Sequence, residues 1–326
     1  MRAVVTGGAG FAGSHLIEAL LARGDEVACI ERSGARQGWL SGLPAQWHPV
    51  GLQDVARLRG ILADADVVFH LAALTEGRSA RDCYVVNTEG TDHLLRAAAA
   101  APSPPLVVFM SSLAAAGPGR NGEPLDARTV PCPLSHYGQS KLMAEAVVHA
   151  WADRVPATIL RFPAVYGPRD VMVPKLLRMI QHGVAVTVGD WDRPLSLVYV
   201  ADAVAGLLAA ASPEAAGRTW CIAHPETVTW MDFVGAAGRA LGRRPLRVSL
   251  PESVARVFAV ASEGCAHLRG RAAQLNRDRV RELTGRSWVC DPTPAMHELG
   301  FAPAWPLARG IDETVAWLRG QRWIHG

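Results

Sequence analysis

An α/β fold built on a doubly wound parallel sheet, with a smaller C-terminal lobe, is what this sequence predicts. Three observations predict it. Short apolar runs alternate with helical patterns from the N-terminus through residue 212, as they do where helices join the strands of a parallel sheet. A glycine-rich turn separates the first apolar run from the first amphipathic stretch. The length, 326 residues, is long for one simple domain and suits a core plus a second lobe.

The first strand centres on Ala3-Val4-Val5. Thr6-Gly7-Gly8-Ala9-Gly10-Phe11-Ala12-Gly13 follows, and an amphipathic stretch then runs from Ser14 to Arg23 and stops at Gly24. Glu26-Val27-Ala28-Cys29-Ile30-Glu31 is a second strand, ending in an acid 18 residues after Gly13. Strand, glycine turn, helix, strand and acid together make a dinucleotide-binding βαβ unit of the Rossmann type. Gly7 permits the tight turn and Gly10 lets backbone N–H groups approach a pyrophosphate at the helix N-terminus. Gly13 allows the helix to pack closely on the strand. Glu31 is placed to accept from the adenosine ribose hydroxyls, which favours NAD and repels a 2′-phosphate. Arg32, adjacent, is the residue that would bind that phosphate, so NADP is the second choice.

Further strands centre near residues 48, 69, 108, 159 and 198. Ala97–Pro105 is a helix end followed by a proline-rich loop. After Pro168 the chain is expected to leave the core over 169–195, return over 196–212 and then build most of the second lobe. Residues 1–168 with 196–212 thus form the NAD(P)-binding core, and 169–195 with 213–326 the substrate-binding lobe. Substrate belongs between them, at the carboxyl ends of the strands.

Tyr137-Gly138-Gln139-Ser140-Lys141 carries the chemistry. The chain has only two lysines, Lys141 and Lys175, and four tyrosines, so chance would place a lysine four residues after a tyrosine in only ~2% of such chains. On a helix, positions i and i+4 share a face. An ammonium beside a phenol favours the phenolate and lowers the tyrosine pKa, making it a usable acid/base near neutral pH.

Composition excludes several classes. The net charge of +3, with basic residues that form no runs, gives no argument for nucleic acid. The six cysteines make no CxxC pair and read as core cysteines of a reducing compartment, with no metal site. No apolar stretch reaches the ~18 residues of a membrane span. The first strand begins at residue 2, leaving no room for a signal peptide. A cytoplasmic protein acting on a small molecule is the expectation.

Together these residues resemble the extended short-chain dehydrogenase/reductase superfamily, of the NAD-dependent epimerase/dehydratase type. The signature spacing is Thr6-Gly-x-x-Gly10-x-x-Gly13. His70-Leu71-Ala72-Ala73 after a strand, Asn87-Thr88-Glu89-Gly90-Thr91, and Ser111-Ser112 after the strand Leu106–Met110 also match. Tyr137-x-x-x-Lys141, Leu160-Arg161 and Val165-Tyr166-Gly167-Pro168 complete the set. These matches run in order over about the first 200 residues; the C-terminal third matches only through Asp291 and Leu299-Gly300-Phe301.

The resemblance implies roles. Tyr137 is the general acid/base, Lys141 serves it and hydrogen-bonds the nicotinamide ribose, and Ser112 orients the same substrate oxygen. Ser111, one residue earlier on the strand, faces the other way. Asn87 is implied as a structural residue beside this set. Gly7, Gly10, Phe11, Ala12, Gly13, Glu31, Arg32, Leu52, Leu71, Ala72, Ala73, Lys141 and Pro163 are implied to surround the cofactor. Gly51 stands where family members often carry an aspartate near the adenine, which removes one contact. His70 is implied to lie packed beneath the cofactor. Trp191, Trp220 and Trp230 either line a pocket or pack the second lobe. Relatives dimerise through two helices per subunit, here around Asn87–Ala100 and the Tyr137 helix, so a homodimer is implied; Ala97–Ala101 and Ala144-Glu145-Ala146 offer small residues for close approach.

The departures bear on substrate. Sugar-nucleotide dehydratases carry Asp-Glu after the catalytic serine or threonine; here Leu113 and Ala114 stand there and cannot eliminate water. The arginine that grips a substrate pyrophosphate is replaced by Leu195. A later Arg-x-Gly-Asp segment is replaced by Glu282-Leu283-Thr284-Gly285-Arg286, leaving Arg193 as the possible substitute. Arg161-Phe162-Pro163-Ala164-Val165-Tyr166-Gly167-Pro168 resembles the 3β-hydroxysteroid dehydrogenase branch. Pro251–Leu268 reads as an amphipathic helix with Val254, Val257, Phe258, Ala261, Cys265 and Leu268 on one face. That face either packs on the second lobe, walls an apolar pocket or meets membrane-borne lipid. The expected activity is hydride transfer at a secondary alcohol or ketone of a sterol- or terpenoid-like molecule. A sugar-nucleotide epimerase or reductase is the alternative, and a non-catalytic cofactor-binding scaffold is the alternative of another class.

Overall fold

The computed structural model describes residues 1–119, 122–268, 273, 276–285 and 287–324. Its first half runs β1 (Arg2–Thr6), α1 (Phe11–Ala22), β2 (Glu26–Glu31), β3 (Gln46–Pro49), α2 (Val55–Leu62) and β4 (Val67–His70). A continuous helical run follows as α3 (Ala80–Cys83), a π-helical turn at Tyr84–Glu89 and α4 (Gly90–Ala98). Next come β5 (Leu106–Ser112), α5 (Leu113–Ala116), α6 (His136–Ala150), β6 (Ala157–Phe162) and β7 (Ala164–Tyr166). The remainder is α7 (Val173–Gln181), β8 (Val184–Val188), β9 (Pro194–Leu195), β10 (Leu197–Tyr199), α8 (Val200–Ala209), β11 (Thr219–Cys221), β12 (Val228–Thr229), α9 (Trp230–Leu241) and β13 (Leu246–Leu250). Helices α10 (Glu252–Leu268), α11 (Arg277–Thr284), α12 (Thr293–Glu298) and α13 (Leu307–Gly320) close the chain.

Seven strands form one parallel sheet in the order β11-β6-β5-β4-β1-β2-β3. The chain winds outward from β1 through β2 and β3, then crosses to β4 and winds the other way. The reversal opens a crevice between the carboxyl ends of β1 and β4, where such sheets bind ligands. Strand residues alternate between two layers, as a period of two requires. Ala3, Val5, Val27 and Phe69 pack with Leu16, Ile17 and Leu20 of α1 and Leu207 of α8. Val4, Ala28, Ile30 and Val68 pack with Leu58 and Leu62 of α2, Leu94 and Leu95 of α4 and Val148 of α6. Ala97, Ala98 and Ala144 are buried in this second layer, so they serve packing within the subunit, not close approach of a second copy.

Two placements differ from the sequence reading. The strand near residue 198 is outside the main sheet: β10 pairs in parallel with β7. The seventh place is taken by β11, which pairs with β6 although 213–326 was assigned to the second lobe. A three-residue edge strand is too short to show a periodicity. The remaining small sheets, β8 with β13 and β9 with β12, join α7, α9 and α13 around Leu177, Ile180, Phe233, Ile311 and Val315 to make the second core. Trp230 stacks on Phe233 at 5.1 Å in this core, Trp191 packs against it, and Trp220 is buried in the first layer. All three tryptophans pack the interior.

The apolar face read from Pro251–Leu268 is not a packing face. Ala255 and Ala259 are buried against Val188 and Val280, whereas Val254, Val257 and Phe258 are exposed. Ala261 and Cys265 are exposed as well; the Leu268 side chain and Arg286 lie outside the described residues. No helix among the described residues is long and apolar enough to cross a membrane.

Candidate active site

The glycine turn is shaped by close backbone approach. Gly7 has φ +72°, and a Cβ there would sit 2.7 Å from the Ala72 nitrogen; a Cβ on Gly13 would sit 2.2 Å from the Gly7 carbonyl oxygen. Only glycine fits either place. The first intrahelical bond of α1 is Ser14 N–H to Gly10 O at 3.0 Å. The N–H groups of Phe11, Ala12 and Gly13 take no partner among the described residues, and no side chain caps the helix. Three free donors at a positive helix end suit a pyrophosphate. Leu71-Ala72-Ala73 runs beside the turn: Leu71 N–H donates to Thr6 O at 3.1 Å and Ala72 N–H to Thr6 Oγ1 at 3.2 Å.

Glu31, at the carboxyl end of β2, accepts from Ala9 N–H at 2.7 Å. Burial raises its carboxyl pKa, and the Ala9 bond and Arg32 pull it back. An acid fixed to the glycine turn here could accept from a ribose diol and would repel a 2′-phosphate. Arg32 is exposed. Leu52 packs against the second core layer, and Pro163 is buried at the end of β6. These residues fit a dinucleotide.

Ser112, Tyr137 and Lys141 come from β5 and α6. Ser135 caps α6 by accepting from Gly138 N–H at 2.9 Å. The Ser112 side chain sits close enough to the Tyr137 phenol to lower its pKa, and its hydroxyl accepts from Ala114 N–H at 3.1 Å. Ser111 faces the other way, donating to Glu145 Oε1 at 2.5 Å, as strand alternation requires. Lys141 is 2% exposed. Its Nζ donates to the Met110 carbonyl at 2.6 Å and lies 4.3 Å from the Phe109 ring centroid. Burial lowers its pKa to about 7, against the pull of Glu145.

The sequence expectation that Lys141 lowers the Tyr137 pKa is not met here. Burial pushes the phenol up to about 12; Ser112 and Arg279 lower it, and Glu282 raises it. The ammonium is held by the Met110 carbonyl, on the sheet side of α6.

Asn87 holds structure beside this set. It sits in the π-helical turn, a feature common at functional sites. Its Oδ1 accepts from Leu74 N–H at 2.7 Å, and its Nδ2 donates to Leu74 O at 3.0 Å and Ser140 Oγ at 2.9 Å. Those partners make it a clamp between the segment after β4 and α6. His70 is fully buried and its pKa falls to about 3. Thr91 Oγ1 gives its one proton to Asn87 O at 2.6 Å. His70 Nε2–H must therefore donate to Thr91 Oγ1 at 3.0 Å, and Nδ1 accepts from Thr6 Oγ1 at 2.7 Å. The ring is neutral and packed.

Two groups of residues had no signal of their own in the sequence. Glu145, one turn beyond Lys141, forms a buried bidentate pair with Arg161, Nη2 to Oε2 at 2.7 Å and Nε to Oε1 at 3.0 Å. It ties β5, β6 and α6 together. From α11, Glu282 accepts from Ser135 Oγ at 2.6 Å and Asp278 from His136 N–H at 2.8 Å. The C-terminal lobe thus grips the first turn of the helix that bears Tyr137. Arg193 does not stand free: it donates to the carbonyls of Val188, Asp190 and Gly285.

Comparisons with known proteins give the family. The chain is 26% identical over 321 residues to a ceramide reductase of Caulobacter vibrioides, covering 98% of this chain and 95% of that protein. It is 28% identical over 324 residues to a 4-hydroxy-2-methyl-3-oxo-4-farnesyl-3,4-dihydroquinoline-1-oxide ketoreductase of Stigmatella aurantiaca, covering 96% and 95%. Among solved structures it resembles MoeE5 in complex with UDP-glucose and NAD, with a TM-score of 0.80, 26% identity and coverage of 99% and 100%. The model of the NAD dependent epimerase/dehydratase family matches residues 3–223. The chain belongs to that family and is an NAD-dependent enzyme of the extended short-chain dehydrogenase/reductase type.

Proposed function

We propose that the protein reduces a ketone, or oxidises the matching secondary alcohol, on a largely apolar molecule. One observation carries the substrate class. Leu195 packs with the apolar core of the second lobe, and Arg193, the candidate substitute for a phosphate anchor, is turned onto backbone carbonyls. A buried diphosphate needs charge-assisted donors, and these two positions supply none. By name, one relative is a ceramide reductase and another a ketoreductase of a farnesyl-bearing quinoline; both names point to reduction of largely apolar molecules, which supports the reading.

NAD, when bound, supplies or accepts the hydride. The protein's part is to hold the oxygen and move a proton. Tyr137, kept protonated by burial, donates to the carbonyl oxygen as negative charge grows there. Ser112, beside the phenol, orients the same oxygen and stabilises that charge. Lys141, held on the Met110 carbonyl beneath α6, is assigned in this reading to the nicotinamide ribose.

Arg279, which acts on the Tyr137 phenol electrostatically, favours the second reading of a sugar-nucleotide epimerase or reductase, as does the likeness to MoeE5. Nicotinamide absorbance during incubation with long-chain ketones, sterols and terpenoid alcohols, against UDP-, GDP- and dTDP-sugars, tests both. Net turnover of the apolar set alone is expected; turnover of a sugar nucleotide alone reverses the ranking. Assembly is a homodimer in this reading, through the face of α6 and the π turn that leaves Val85 and Met143 exposed. A monomer mass by light scattering overturns it.

A further inference from the structure

Helix α10 presents its large apolar residues outward. At ~100° per residue, Val254, Val257, Phe258, Ala261 and Cys265 share one face. Ala255 and Ala259 lie about 120° round the helix from it. The alanine face is the docked one, with Ala255 2% and Ala259 0% exposed. The other face is open: Val257 is 71% and Phe258 60% exposed, and Val260 beside it 55%. A helix docked by alanines while it exposes valine and phenylalanine has its hydrophobic face free for something else.

The charge around this helix says what. Residues 243–268 hold four arginines and two glutamates, a net +2. Both glutamates are already paired, Glu252 with Arg256 and Glu263 with Arg277. Arg243, Arg244 and Arg247 are exposed and form no ion pair among the described residues. Leu246, between them, is 69% exposed. An outward apolar helix face preceded in sequence by exposed, unpaired arginines is the pattern of a helix that lies in the interface plane of an anionic bilayer, sunk about 5–10 Å at its apolar face.

We infer that α10 and the preceding Arg243–Arg247 segment dock the protein on the surface of an anionic lipid bilayer. Phe258, Val257 and Val254 enter the acyl boundary, and the arginines meet the headgroup phosphates. The α11 helix that grips the Tyr137 helix also packs on α10 through Val280 and Ala259, so one helix links α10 to the catalytic one. The docking itself does not rest on the substrate reading.

The test is co-sedimentation of the full chain with vesicles of phosphatidylcholine alone or mixed with phosphatidylglycerol, at low and high salt. Wild type is expected to bind the mixed vesicles, and less at high salt. Val257→Asp with Phe258→Asp is expected to weaken partition by at least ~10-fold, with an unchanged circular dichroism spectrum because both positions are exposed. Arg243→Glu with Arg247→Glu leaves the apolar face intact and is expected to abolish the preference for phosphatidylglycerol. Should the aspartate pair unfold, Val257→Ser with Phe258→Ser serves in its place. Wild type that stays in the supernatant with every vesicle overturns the proposal, as does equal binding by the variants. A larger species in solution that the aspartate pair dissociates, with no vesicle binding, assigns the face to a second copy and overturns it too. No turnover is measured, so this result and the substrate reading fail separately.

Discussion

Lys141 donates to the carbonyl oxygen of Met110 at 2.6 Å, and no hydrogen bond joins it to Tyr137 among the described residues. The lysine is therefore anchored to β5, and the acid/base character of Tyr137 is set by burial and by Ser112. Burial favours the protonated phenol, with its pKa at about 12, which suits the reductive direction.

Tyr137→Phe keeps the ring and removes the proton. A loss of at least ~10²-fold in kcat is expected, with NAD affinity little changed. In wild type, reduction needs the phenol, so its rate should not fall from loss of that proton until pH nears about 12. Oxidation needs the phenolate and should rise with pH across the neutral range. Steady-state rates in both directions check this; near-normal turnover by the phenylalanine variant removes Tyr137 from the mechanism.

Lys141 gives a stability prediction with a definite sign. Its folded pKa is about 7, lowered from 10.5 by burial. Between those values the unfolded chain binds more protons than the folded one, so stability rises with pH through that window and the cost of the buried cation is present in full below it. Lys141→Met should raise Tm at pH 6 by removing a penalty on the order of a few kcal/mol, and should raise it far less at pH 10. Thermal unfolding at both values decides. The same variant should bind NAD more weakly and lose activity; an unaltered Kd denies the lysine a role at the ribose.

Glu31 should set the cofactor preference. Glu31→Ala removes both the acid and its bond to Ala9 N–H, so NAD should weaken and discrimination against NADP relax. Titration of wild type with each cofactor is the direct measurement. Tighter NADP in wild type would show that Arg32 governs the site.

How much of this was legible depended on distance along the chain. The glycine turn and Tyr137–Lys141 were legible because their chemistry lies in spacings of a few residues. The grip of Asp278 and Glu282 on α6 was not, since 142 and 147 residues separate each acid from its partner. Glu145 lacked a signal because its partner Arg161 is on the strand that follows. The helix at 252–268 was read correctly as amphipathic, yet periodicity does not say which face meets the protein. Two alanines, small enough for close approach to Val188 and Val280, made that contact and left the larger residues outside. The π turn at Asn87 carries the clamp to Leu74 and Ser140, which no local pattern announces.

Substrate class is the boldest expectation. Leu195 packs into an apolar core and Arg193 holds the carbonyls of Val188, Asp190 and Gly285, so a nucleoside diphosphate would meet few charge-assisted donors there. Burying its charge without partners costs several kcal/mol. UDP, GDP and dTDP should bind the protein–NAD complex only in the millimolar range, worth about 4 kcal/mol. Long-chain ketones should bind more tightly, with a negative heat-capacity change from buried apolar surface. Arg279 is the residue that would defeat this, because its charge is felt at Tyr137 and it could turn from Glu282, 3.5 Å away, to a phosphate. Calorimetry on wild type and Arg279→Ala separates the cases. Millimolar or weaker UDP binding in both supports the apolar reading. Micromolar binding in wild type that the alanine variant loses assigns Arg279 to a diphosphate and restores the sugar-nucleotide reading.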